Sequence, residues 1–96
     1  MRSHLQDTQG MTRPAKFAFK ALIEMGVPVL RHPSQPEHFV ISAEDNPDHV
    51  MWADYYGAMG LDTHDFGVHK SITEVLTRHD LFAEWENPGM LNVWDA

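Results

Sequence analysis

The chain has no cysteine. Disulfides, thiolate metal sites and cysteine nucleophiles are thereby excluded, and a reducing, cytoplasmic setting is the expectation. Long apolar runs are also missing, so no membrane-spanning helix is predicted. Residues 1–7 lack the apolar h-region of a secretory signal, so none is expected. No Gly-x-Ser-x-Gly or Ser-x-x-Lys nucleophile motif occurs. Neither a Gly-x-Gly-x-x-Gly fingerprint nor a Walker sequence is present to cradle phosphate. An enzyme is therefore not the leading expectation, and no cofactor is called for.

Basic residues are scarce where the chain is longest. Residues 1–31 carry five basic side chains against two acids, a net of +3; residues 32–96 carry only Lys70 and Arg78 against twelve acids, a net of −10. The total is −7. Binding nucleic acid requires cationic groups to neutralise phosphates, so direct nucleic-acid binding is disfavoured. An acidic body suits a basic protein surface better, although mild acidity also serves solubility alone.

What is present fits one small domain. Ninety-six residues, 43% of them hydrophobic, can build one modest core and not two. Residues 1–11 are polar and aperiodic and read as a flexible tail; residues 12–96 read as a single domain. Thr12 and Pro14 open a helix in which Ala15, Ala18, Phe19, Leu22 and Ile23 form a buried stripe, and Gly26 closes it. Residues 29–32 and 38–43 read as a hairpin across a five-residue loop, with Pro28 held at the strand start. Aromatic and β-branched content makes residues 49–56 a third strand, with Trp52, Asp54 and Tyr56 on one face. Residues 57–67 read as a long loop. Ser71 and Glu74 match a capping box ahead of a helix of about two turns. Residues 81–86 and 90–95 alternate around Asn87-Pro88-Gly89, a hairpin in which Gly89 would take positive φ. The expected fold is α+β: a mainly antiparallel sheet of about five strands with two helices on one face, in the order α-β-β-β-α-β-β. The other sheet face would be partly solvated and carry some of Trp52, Tyr56, Trp85 and Trp94.

Four groups of residues could carry chemistry. The chain has seven histidines. His64 and His69, with Asp62 and Asp65 between and beside them, offer metal-ligand types within eight residues, though at no recognised spacing. His32 and His38 would face each other across the first hairpin. Glu84 and Glu86 share a strand face, as paired acid–base carboxylates would, or as exposed acids that keep an edge soluble. Arg13, Lys16 and Lys20 line the outer side of the first helix, a solvated face in the ordinary case.

The sequence therefore leads to a non-enzymatic, acidic protein-binding module or inhibitor. Asp54, Tyr55, Tyr56, Asp62, Asp65, Glu84, Trp85 and Glu86 are its expected contact residues, with carboxylates meeting a basic, nucleic-acid-binding partner and aromatics anchoring the contact. Inhibitors of host defence nucleases carried by phages or plasmids use the same physical logic of nucleic-acid mimicry. A metal-dependent enzyme or sensor on the His64/His69 loop, and a homo-oligomer that buries an aromatic sheet face, are the alternatives. No membrane partner is expected.

Overall fold

The computed structural model describes residues 8–44, 50–57 and 63–96. Helix α1 (Arg13–Met25) starts where expected, with the Thr12 hydroxyl accepting the Ala15 amide at 3.2 Å. The same hydroxyl donates to Asp95 Oδ1 at 3.0 Å, tying the helix start to the end of the last strand. Gly26, at φ +92°, ends the helix in the left-handed conformation that a side chain would strain.

Strands β1 (Val29–Arg31) and β2 (Phe39–Ser42) form the first hairpin. Strands β5 (Leu81–Asn87) and β6 (Met90–Asp95) form the last. β2 pairs with β6, giving an antiparallel sheet in the order β1-β2-β6-β5. Between the hairpins in sequence lie two very short strands, β3 (His64–Asp65) and β4 (Val68–His69), followed by helix α2 (Lys70–Arg78). The fold is thus α+β, with the helices on one face of a mainly antiparallel sheet. The expected single sheet of about five strands is instead four strands plus a separate pair.

The period-2 alternation sorts the two faces. Phe39, Ile41, Leu81, Leu91 and Val93 point at the helices and join Ala15, Ala18, Phe19, Leu22, Ile72, Val75 and Leu76 in one core. Phe19 meets Phe39 edge to face at 5.3 Å, a geometry worth ~1 kcal/mol beyond the area it buries. The opposite face carries Trp94, Asn92, Phe82 and Glu84. Of Trp52, Tyr56, Trp85 and Trp94, that face carries Trp94. Trp85 points to the helix side and Trp52 packs on the core. Tyr56 sits on a turn, 81% exposed.

Four further expectations are corrected. Residues 49–56 form no third strand over the part described: Ala53 makes a single bridge to Val68, because β4 offers only two residues to pair with. His69, not Ser71, caps α2; its Nδ1 accepts the Ser71 amide at 3.1 Å, since β4 delivers it to that position directly. Gly89 does not take positive φ. Its lack of a side chain is used instead by Glu44, whose carboxylate occupies the place of a Cβ. Finally, the tail is partly docked: Thr8 is fully buried and Met11 belongs to the core. Residues 1–7 lie outside the described residues.

Candidate functional site

Four aromatic residues, Tyr55, Tyr56, Phe66 and Trp85, come together around the small β3–β4 hairpin. Its turn consists of Phe66 and Gly67, both at positive φ (53° and 81°), as a two-residue hairpin turn of this hand requires. Glycine and asparagine are the usual occupants of the first position; phenylalanine there is strained. Phe66 gains no packing in return, being 92% exposed. Gly67 has a second reason to be glycine, because a Cβ would run into the Asp54 carbonyl. That close approach lets residues 52–54 pair with the hairpin, with Asp54 N–H donating to the Gly67 carbonyl at 2.6 Å and His69 N–H to the Trp52 carbonyl at 2.9 Å.

Residues 54–57 then turn back, the Gly57 amide donating to the Asp54 carbonyl at 3.1 Å, and this places Tyr55 and Tyr56 at the tip. Tyr55 stands edge-on to both Tyr56 (5.4 Å) and Trp85 (5.3 Å). The Trp85 indole N–H donates to the Phe66 carbonyl at 3.0 Å, locking strand β5 to the strained turn. Together these residues and Asp65 border a concavity of about 560 Å³.

The expected contact residues therefore divide. Tyr55, Tyr56, Asp65 and Trp85 are brought together. Asp54 belongs to the same turn but is buried, with 9% of its surface exposed. Glu84 and Glu86 lie across β5 on the opposite sheet face, where Glu84 accepts the Trp94 indole N–H at 3.1 Å and Glu86 accepts the Asn92 side-chain amide at 3.0 Å. Each carboxylate thus has its own donor, and the two do not act as a pair. Asp62 falls outside the described residues. Phe66 is the residue of this site that the expected set lacks; the Phe-Gly pair between two short polar–apolar segments is its signal in the sequence.

The histidines serve structure. His64 is 2% exposed; its Nε2–H donates to the Met51 carbonyl at 2.6 Å, and its Nδ1 is hydrogen-bonded with the Thr63 hydroxyl at 2.8 Å. His69 faces it across the hairpin at 5.2 Å and packs on Trp52 at 5.0 Å. Nδ1 of His69 accepts the Ser71 amide, which favours the neutral ring. Burial lowers its pKa below the ordinary 6.5, and the neighbouring His64 lowers it further. A metal at this pair would have to displace hydrogen bonds at three of the four ring nitrogens. Among the described residues no group of three His, Asp or Glu side chains is placed to hold a metal ion. His32 and His38 lie opposite each other, as expected, and both contact Trp94, His32 tilted at 5.2 Å and His38 edge-on at 5.0 Å. Of the basic residues of α1, Arg13 lies over the Phe17 ring at 5.5 Å. Among the described residues no helix is long and apolar enough to cross a membrane.

The chain matches no protein-family model and shows no significant similarity to the curated proteins or solved structures with which it was compared.

Proposed function

We propose that this chain is a non-catalytic binding module that occupies a basic surface of a partner protein, of the kind that nucleic-acid-handling proteins carry. The observation that supports it is the strained turn at Phe66. A fold that holds a phenylalanine at positive φ and leaves it in solvent spends stability on presentation, and such outliers gather at functional positions. The exposed Tyr55 and Tyr56 rings beside it are of the residue types that dominate binding hot spots. The acidic excess of residues 32–96 supplies the charge that selects a basic partner.

The test is affinity capture from a lysate of the source organism at low and high salt, using the wild-type chain and the double variant Tyr56→Ala/Phe66→Asn as baits. Mass spectrometry should recover one basic protein on wild type, more strongly at low salt, and much less of it on the variant. Equal recovery on both baits would remove the aromatic turn from the interface, and no specific recovery at either salt would sink the reading.

A further inference from the structure

Resting on that reading, we infer that the partner is captured as an extended strand added to the open edge of β5, with alternating apolar and basic side chains. Among the described residues β5 has a strand neighbour on one side only. The direction of its free backbone groups follows from the register. The Ala96 amide bonds the Asp80 carbonyl at 2.9 Å, which makes Leu81↔Asp95 a pair that is not itself hydrogen-bonded. Alternation then sends the Phe82 and Glu84 backbone groups to β6 and those of Leu81, Ala83 and Trp85 outward.

Two of these three residues, Leu81 and Ala83, border a groove. It measures about 370 Å³ and runs between Ala83, Leu81 and Phe82 on one side and Phe66 and Leu76 on the other, with Val68 also lining it. A strand seated here would complete donors and acceptors that otherwise rely on water. Phe66, held out by its turn, forms one rim of the groove.

The two faces of β5 specify the occupant. Inward-pointing positions of an added strand would meet Leu81, Ala83, Val68 and Leu76, with Thr73 and Thr77 beside them, so a β-branched apolar side chain fits them. Outward-pointing positions would lie beside Glu84 and Glu86, so lysine or arginine fits them. A second copy of the chain is a poorer occupant. Pairing of β5 with itself would bring together two bodies of formal charge −7 and place their glutamates along one shared edge.

The experiment uses fluorescein-labelled seven-residue peptides alternating lysine and valine, titrated by anisotropy, with amide shifts recorded on the isotope-labelled full chain. The lysine–valine peptide should bind and move the amides of Leu81, Ala83 and Trp85. In antiparallel register the valines turn their N–H groups toward β5. N-methylation of the valines should therefore weaken binding about tenfold or more, while N-methylation of the lysines changes it little. A glutamate–valine peptide should not bind. Equal binding of both methylated peptides would overturn strand addition while leaving attraction to a basic partner standing. No binding of the lysine–valine peptide, or shifts confined to residues away from β5, would also overturn strand addition; the capture experiment decides the broader reading separately.

Discussion

The molecule contains two tight hairpins built to different ends. In β5–β6 the strands run seven and six residues, the turn residues Pro88 and Gly89 avoid positive φ, and the inward side chains complete the core. In β3–β4 the strands run two residues each, both turn residues take positive φ, and the turn phenylalanine points into water. The first hairpin stabilises the fold through packing. The second is held by its neighbours: the 52–54 segment, the Trp85 indole and the cap that His69 gives α2. Strain is located where the surrounding structure over-determines the backbone, and there an exposed aromatic is displayed.

The sharpest way to break this contrast is Gly67→Ala. The substitution forces a side chain into positive φ and into the Asp54 carbonyl, so the 52–54 segment must detach from the hairpin. We expect a loss of at least ~2 kcal/mol in urea unfolding, with Tyr55 and Trp85 fluorescence altered in the folded state. A loss below half that would mean the segment is not fixed by this contact.

His69→Ala comes next. Removing the cap acceptor should cost about 1 kcal/mol, which in a domain of this size lowers Tm by about 4–8 °C. The wild type should also be pH-sensitive here. The folded-state pKa lies below 6.5, so the unfolded chain binds the proton more readily. This contribution to stability is fully present above 6.5 and is lost as pH falls from 6.5 toward the lower folded-state value. His69→Asn keeps a capping oxygen and removes the titration, so its Tm should vary less with pH over that interval. Equal pH dependence in both proteins would assign the effect to other groups.

The same contrast explains what could be read from sequence. Helix α1 and hairpin β5–β6 are specified locally, by Thr12, Pro14 and Gly26 and by alternation around Pro88-Gly89, and both were legible. The β3–β4 hairpin was not, because two-residue strands have no period and Phe-Gly is an unfavourable turn pair that only tertiary contacts enforce. Trp52 and Tyr56 have strand composition, yet among the described residues their segment makes only a single bridge, Ala53 to Val68. Within the site, Tyr55, Tyr56, Asp65 and Trp85 were identified by type, whereas the separation of Glu84 and Glu86 from them depends on which face of β5 each residue takes. Asp54 is buried beside the turn that ends at Gly57, and charge alone does not reveal that burial.

Phe66→Asn sharpens the comparison with a change of opposite sign. Asparagine followed by glycine suits a turn with both central residues at positive φ, and Phe66 has almost no packing to lose. We expect a stability gain of about 0.5–1 kcal/mol, read as a higher urea midpoint at unchanged slope, together with weaker partner binding. Destabilisation instead would show that the ring contributes to the fold and would remove the argument from strain.

The smallest effect expected is at the other turn glycine. Gly89→Ala meets no positive φ, so the backbone penalty that governs Gly67 is absent. The obstacle is the Glu44 carboxylate, the far end of a flexible and exposed side chain that can swing away without moving the backbone. The Asn87 side chain would still accept the Gly89-position amide, as it does now at 2.9 Å. Loss of unfolded-state freedom on replacing glycine adds a small stabilising contribution. The net change should stay within about 0.5 kcal/mol in urea unfolding. A cost approaching that of Gly67→Ala would mean that Glu44 cannot leave its place against the β5–β6 turn, and that this hairpin too is held from outside.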